Sequence, residues 1–298
     1  MEASDISGEG VVVAHYGIAV ALRLESGETG RVRLRRRQSV RVGDRVVVEA
    51  GMLTEVRPAG GVLSRRDSHG RVRSVAANLD ALGIVLAPRP ESPLGFVDRG
   101  LVAARASGLE ARVVVNKADL PGAEALHGEM AESYSAAAEI VLVSAKTGAG
   151  LDELRAWLEP GHRAVFVGTS GVGKSSILNA LLPDLDLSVG EINETSGLGR
   201  HITSTATLHR LAEGGELIDT PGFRDFGPVE VSPTELAAFF PGFEGFVDRG
   251  CRFRDCLHRT EPGCAVLAAV ESDQISARRH QAYLALLAEL QKSPASSR

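Results

Sequence analysis

The sequence predicts a multidomain chain. It places an N-terminal β-barrel over residues 1–62, a central α/β domain over 63–228 and a C-terminal zinc-binding helical domain over 229–298. Three observations carry this division. Five short β-rich runs separated by glycine-containing turns occupy residues 8–57, and apolar runs that end in ligand-binding sequences fill the middle. All three cysteines of the chain fall within fourteen residues near the end. At 298 residues, 44% of them hydrophobic, the chain is long enough for two or three cores.

In the first part the runs are Val11 to Ala14, Ile18 to Leu24, Arg31 to Leu34, Arg45 to Ala50 and Leu53 to Val56. Five such strands suit an OB-fold, although the pattern alone fits other small barrels. The formal net charge of −5 argues against indiscriminate coating with nucleic acid, but the charge is unevenly placed. Arg31, Arg33, Arg35, Arg36, Arg37, Arg41 and Arg45 face a single acid, Asp44, and Arg57, Arg65, Arg66, Arg71 and Arg73 follow with only Asp67. Such stretches are the electrostatic footprint of a phosphate backbone. They also fit a solvated face, because strand alternation exposes every second side chain.

The middle part carries four sequences with a chemical purpose. Val113-Val114-Val115 leads into Asn116-Lys117-Ala118-Asp119, where one carboxylate, that of Asp119, can accept both the N1–H and the N2–H₂ of guanine; adenine has no matching pair of donors. Ile140 to Val143 leads into Ser144-Ala145-Lys146, which supplies a backbone N–H for the base oxygen and a lysine stem along the ring. Ala164 to Val167 leads into Gly168-Thr169-Ser170-Gly171-Val172-Gly173-Lys174-Ser175-Ser176 and a helix that stops at Pro183. Its glycines let backbone N–H groups curl around phosphates at a helix N-terminus, Lys174 reaches the β and γ oxygens, and Ser175 offers a hydroxyl to Mg²⁺. After a turn at Gly214-Gly215, Glu216 to Ile218 leads into Asp219-Thr220-Pro221-Gly222; the carboxylate can hold Mg²⁺ through water and the Gly222 N–H can meet the γ-phosphate.

The order is unusual. Guanine-reading sequences precede the phosphate loop, so the central domain reads as a circularly permuted P-loop GTPase, a re-cutting that domains tolerate when their ends lie close together. Lysine usage agrees: only four of 33 basic residues are lysine, and Lys117, Lys146 and Lys174 lie in the three nucleotide motifs. A compact ammonium on a flexible stem fits there and a planar guanidinium does not.

The third part contains Cys251-x4-Cys256-x-His258-x5-Cys264, four ligands of the number and type for one closed, tetrahedral, structural Zn²⁺. Disulfide pairing would leave one cysteine over. Arg249, Arg252, Arg254 and Arg259 either touch RNA or balance Asp248, Asp255 and Glu261. Ser276 to Gln291 reads as an amphipathic helix with Tyr283, Leu284, Leu287 and Leu290 on one face.

Together with Ala76-Ala77-Asn78-Leu79-Asp80, Gly190-Glu191-Ile192 and Gly199-Arg200-His201, these motifs in this order resemble the ribosome small-subunit-dependent GTPases called RsgA or YjeQ. The resemblance implies an OB-fold, a permuted GTPase domain and a zinc domain, with GTP and GDP, the small (30S) subunit and its rRNA as partners. It also implies a role late in small-subunit assembly, with hydrolysis stimulated by the subunit. The family usually reads Gly-Arg-His-Thr-Thr-Thr where this chain has Gly199-Arg200-His201-Ile202-Thr203-Ser204, so Thr203 matches the middle threonine and is the candidate Mg²⁺ hydroxyl. Regulatory GTPases place a water-orienting glutamine where this chain has Phe223, which leaves His201 as the candidate for that duty beside Lys174 and Thr203. Gly171 stands where many potassium-dependent permuted GTPases carry asparagine, so a K⁺ requirement is not implied. Two alternatives stay open: a permuted GTPase serving the large subunit or another RNA, and a non-catalytic switch in which GTP only orders a loop. Without a run of about 18 apolar residues or a signal-like N-terminus, the expectation is a cytoplasmic protein with no membrane contact; separately, a monomer is expected.

Overall fold

The structure, a computed structural model, describes residues 6–36, 38–66, 71–158, 161–182, 206–212, 214–220, 226–247 and 249–292. The chain opens with five antiparallel strands, β1 (Gly8–His15), β2 (Ala19–Leu24), β3 (Thr29–Arg33), β4 (Arg45–Glu49) and β5 (Met52–Val56). Alternation decides which side chains face inward: Val20, Leu22 and Leu24 of β2 are buried while their neighbours are half-exposed. β1 pairs with β2 and β4, β2 with β3, and β4 with β5; β3 lies against β5 and closes the ring. That connectivity is the OB arrangement, which the strand pattern alone could not distinguish.

Two further strands, β6 (Leu63–Arg66) and β7 (Val72–Ala76), form a hairpin inside the second basic stretch. They are absent from the sequence-based expectation because arginine interrupts the apolar alternation that signals a strand.

The central sheet contains β8 (Ala81–Leu86), β9 (Glu110–Val115), β10 (Glu139–Leu142), β11 (Arg163–Val167), β12 (Thr207–Arg210) and β13 (Glu216–Asp219). Helices α1 (Phe96–Ala106), α2 (Ala123–Tyr134), α3 (Leu151–Leu158) and α4 (Lys174–Leu181) cover its faces. Every residue of β8 and β11 is buried, as expected of parallel strands covered on both sides. In β8, Gly83 has no side chain because a Cβ there would lie 2.2 Å from the Phe166 ring of β11. The spatial order is β10-β9-β8-β11-β13-β12, parallel except for β12.

The sheet does not end at β12. Ala14 of β1 pairs with Thr207, so the barrel strands and the central strands belong to one eleven-stranded sheet. Below this join, buried Arg163 donates to Glu216 Oε2 at 2.9 and 2.7 Å and to the Gly43 carbonyl of the barrel at 2.7 Å, and Arg23 of β2 pairs with the same Glu216. Removing one member of such a buried set costs about 3–5 kcal/mol, because the partner charge is left without compensation.

The C-terminal part holds α5 (Leu236–Phe239), α6 (Glu244–Val247), α7 (Ala265–Glu271) and α8 (Ala277–Lys292). Phe240, Phe243 and Tyr283 form its centre, with ring centroids 4.9 to 5.3 Å apart. The buried stripe of α8 is Ala282, Tyr283, Leu286 and Leu287; Leu284 and Leu290 are half-buried at its margins. Among the described residues no helix is long and apolar enough to cross a membrane.

Candidate functional site

From β8 the chain winds outward to β9 and β10, then returns to β11 on the other side of β8. Loops leaving the carboxyl ends of β8 and β11 therefore diverge, and the crevice between them is where open α/β sheets bind ligands. The phosphate loop follows β11 and turns into α4 at Gly173, whose φ is +98°. Gly173 at the N-cap has no side chain to cap α4, and Ser175 and Ser176 lie in its first turn, the end of a helix that suits an anion. A Cβ at Gly173 would lie 2.2 Å from Asn116 Nδ2; only glycine lets the phosphate loop sit this close to the loop after β9.

Asn116 joins three motifs with one amide. It is 1% exposed, donates from Nδ2 to the Val172 carbonyl at 2.9 Å and accepts at Oδ1 from the Ala145 N–H at 3.1 Å. Lys117, in the left-handed region at φ +65°, donates from Nζ to the carbonyls of Gly171 and Arg89, both at 2.7 Å. Ser144 Oγ donates to Asp119 Oδ1 at 2.6 Å, and the Lys146 ammonium lies 3.9 Å from Oδ2. The serine hydroxyl first, helped by Lys146 and Lys117, holds the Asp119 carboxyl below the usual carboxylate range, so it is an acceptor at neutral pH. Lys174 Nζ rests against the Gly168 and Thr169 carbonyls at 2.7 and 3.0 Å.

Asp219 ends β13, beside β11. Burial pushes its carboxyl up, while His209 and Lys174 pull it back toward the charged form. His209 Nε2 lies 2.8 Å from Thr207 Oγ1, and Thr207 is the residue opposite Asp219 in the strand pair. His201, Thr203, Gly222 and Phe223 lie outside the described residues.

The second site is the cysteine cluster. Ligand atoms of Cys251, Cys256, His258 and Cys264 all lie within 4.8 Å of one another. Cys251 Sγ is 3.6 Å from His258 Nδ1 and 3.9 Å from Cys264 Sγ, far beyond a disulfide bond and close to the edge of a tetrahedron with metal–ligand bonds of about 2.0–2.3 Å. Burial and the neighbouring thiols push the Cys256 thiol up to about 12, and burial lowers the His258 imidazole below its usual value. Crowded thiols that resist ionisation by themselves are what a cation would relieve. The donor set fits one metal ion.

His258 adopts a left-handed backbone, φ +56°, and Glu261 holds it there. Its carboxylate accepts from the N–H groups of Leu257, Arg259 and Thr260 at 2.9, 2.7 and 3.0 Å. Burial alone would raise this carboxyl; the backbone donors outweigh it and hold it at about 2. The Tyr283 hydroxyl donates to the Leu257 carbonyl at 3.1 Å, and His280 bonds the His258 carbonyl at 2.8 Å, so α8 supports the ligand loop from outside.

The sequence profile of the RsgA GTPase family matches residues 56–228, more than half of the chain. The chain belongs to the RsgA GTPase family. Curated relatives include the small ribosomal subunit biogenesis GTPase RsgA of Pseudomonas syringae pv. syringae, 41% identical over 305 aligned residues, and that of Pseudomonas aeruginosa strain LESB58, 40% identical over 301; each alignment covers 97% of this chain and 88% of the relative. Among solved structures, YjeQ from Thermotoga maritima superposes with a TM-score of 0.73 at 34% identity, covering 96% of this chain and 99% of that one. YloQ, described as a circularly permuted GTPase, superposes with a TM-score of 0.70 at 26% identity over 96% of each chain. As a member of the RsgA family the chain is a GTPase, and its rotated strand order is that of the permuted members.

Within this RsgA-family fold, sequence reasoning did not single out the Arg89 carbonyl, Thr207, His209 or Glu261. Backbone carbonyls carry no residue signature, and Thr207 and His209 lie on a four-residue strand outside any motif. Glu261 was legible only as a counter-charge.

Proposed function

We propose that this chain is a GTP hydrolase that binds the small ribosomal subunit and assists its late assembly, working as a cytoplasmic monomer whose turnover the subunit stimulates. The observation behind this reading is that likeness to small ribosomal subunit biogenesis GTPases runs through 97% of the chain, barrel and cysteine cluster included. Phosphate release under multiple turnover, measured with no ribosomal subunit, with the small one and with the large one, tests it. Stimulation by the large subunit alone, or by neither, would refute it.

The proposed units are residues 1–62, 63–228 and 229–298. A barrel core built from Ile6 to Leu53 and a C-terminal core built mainly from Val231 to Leu287 support the division. In the crevice, Asn116, Lys117, Asp119, Ser144, Ala145 and Lys146 would hold guanine. The loop 168–176, Asp219 and Gly222 would hold phosphates and Mg²⁺, with Thr203 as the switch hydroxyl. Bound Mg²⁺ would neutralise charge on the β and γ oxygens. Lys174 has the reach to do the same from the protein side, and Asp119 selects the base. Zinc is the metal we assign to Cys251, Cys256, His258 and Cys264, since three thiolates and one imidazole are its closed structural set.

His201 we assign to positioning the attacking water, because Phe223 offers no polar atom for that role. His201→Ala should keep GTP and subunit binding and lose at least about tenfold in stimulated kcat with little change in KM, since a positioning group acts mainly in the transition state. Full stimulated kcat would remove it from the mechanism.

The barrel offers an RNA surface. Tyr16 and Ile18 are exposed at the tip between β1 and β2, the Arg31 guanidinium lies 4.6 Å from the Tyr16 ring centroid, and Arg33, Arg35 and Arg36 are exposed nearby in sequence. Some of the basic stretch is already paired within the barrel: Arg41 with buried Asp44, and Arg57, at the surface, with Glu9 and Glu55. Replacing Arg35, Arg36 and Arg37 by Ala should weaken subunit binding and flatten its log–log salt dependence by about 0.7–0.9 for each phosphate that is no longer neutralised. An unaltered slope would mark these arginines as merely solvated.

A further inference from the structure

Helix α1 touches three parts of the molecule at once. One face packs on β8, where a Cβ at Gly100 would lie 2.5 Å from Ile84 Cδ1, and Val102 reaches into the C-terminal core. At its amino end Asp98, 3% exposed, accepts from the Tyr134 hydroxyl of α2 at 2.9 Å and from Arg279 Nη1 of α8 at 3.4 Å. Arg279 also donates to the carbonyls of Ser133 at 2.6 Å and Pro241 at 3.2 Å, and its guanidinium lies 4.5 Å from the Tyr134 ring centroid. A planar fork can serve a carboxylate, two carbonyls and a ring together; an ammonium cannot. Beside this pin lies a cavity of about 640 Å³ between loop 87–95, α2 and the start of α8. On this side the domains therefore meet through the pin and the more exposed ion pairs Arg99–Glu289 and Arg278–Glu129, and not through continuous apolar packing.

The loop that leads into this same end of α1 borders the nucleotide crevice. Loop 87–95, which runs directly into α1, is stiffened by Pro88, Pro90 and Pro93. Its Arg89 carbonyl holds Lys117, Ser92 Oγ lies 3.5 Å from Thr169 Oγ1, and Pro90 is so near the phosphate loop that a Cβ at Gly171 would stand 3.4 Å from its ring. A shift of α1 at Asp98 therefore moves a stiff segment that touches both the guanine and the phosphate loops.

We propose that loop 87–95 and α1 link the seat of the C-terminal domain to nucleotide affinity, with Arg279 and Asp98 as positioning residues for the crevice. Neither residue touches the nucleotide; they act through Arg89, Pro90 and Ser92. Linkage makes the effect reciprocal: what the crevice holds must also bias the seat of α8. The inference rests on the crevice being the GTP and GDP site.

Dissociation of a fluorescent GDP analogue from the full chain, followed by stopped flow, tests it. Arg279→Ala and Asp98→Asn should each speed release about fivefold or more, and the double variant should add little, because both break one pin. Glu244→Gln, which removes the partner of Arg105 at the far end of α1, should stay within about twofold of wild type. Wild-type release from both Arg279→Ala and Asp98→Asn, in variants that keep their metal and bind the analogue, would overturn the proposal. If the analogue is not displaced by GTP, the crevice assignment itself fails and the proposal with it. Should either variant not fold, hydrogen exchange on the wild-type chain decides: GDP should slow exchange in residues 277–283, and identical exchange with and without GDP would overturn the link.

Discussion

Asp119→Asn should lower GTP affinity by at least about a hundredfold and create affinity for XTP. The wild-type carboxylate can accept both guanine donors, and charge-assisted hydrogen bonds of this kind contribute about 1.5–3 kcal/mol each. Losing both costs about 3 kcal/mol or more, at tenfold per 1.4 kcal/mol. Geometry favours the swap. Ser144 Oγ already engages Oδ1 at 2.6 Å, so an amide can keep that acceptor in place and turn its NH₂ toward the base. Xanthine carries a carbonyl where guanine has its amino group, and the amide donor pairs with it. Competition binding with GTP and XTP on the same preparation reads both halves, and GTP affinity equal to wild type would end the assignment of this crevice to guanine.

Cys256→Ala should abolish stoichiometric zinc and open the region after Phe246 to protease. A structural site of this kind has an apparent binding free energy of about 10–16 kcal/mol at neutral pH, and that energy is folding energy. The loss should spread beyond the ligands. His258 sits in a strained left-handed backbone that Glu261 and α8 support jointly, so an unligated loop loses its reason to hold that shape, and the hydrogen bonds of Tyr283 and His280 to it loosen. GTP binding should persist, weakened no more than Arg279→Ala weakens it, because the central cores do not include the cluster. Metal analysis and limited proteolysis of wild type and variant check this; purified wild type without zinc would refute the site.

Much of this architecture was legible because its chemistry is local. The phosphate loop, the residues around Asp119 and the cysteine spacing each announce themselves within a few positions, since glycines, a carboxylate and thiols must stand at fixed offsets to do their work. What the sequence hid depends on distant pairing. Nothing in Gly8 to His15 shows that its last residues pair with Thr207, and nothing in Arg279 shows that it meets Asp98, 181 positions earlier. Asp98 did leave a trace: a carboxylate whose neighbours on the helix face, three and four residues on, are Leu101 and Val102 needs a partner. The arginine runs do not show their own pairing: Arg41 and Arg57 meet acids of their own barrel, and charge counting cannot tell an arginine with a partner from one without.

The pairing of Ala14 with Thr207 has a practical consequence for anyone who would study the hydrolase alone. A chain begun at residue 63 would lack the strand that borders β12, the Arg23 partner of Glu216, and the half-buried Val11 and Val13 that pack on the central core. An open edge of backbone donors and acceptors beside newly bared apolar surface is a template for strand addition between molecules. Such a truncated protein would invite aggregation at β12. Low activity in it would then report self-association as readily as the absence of an RNA-binding barrel.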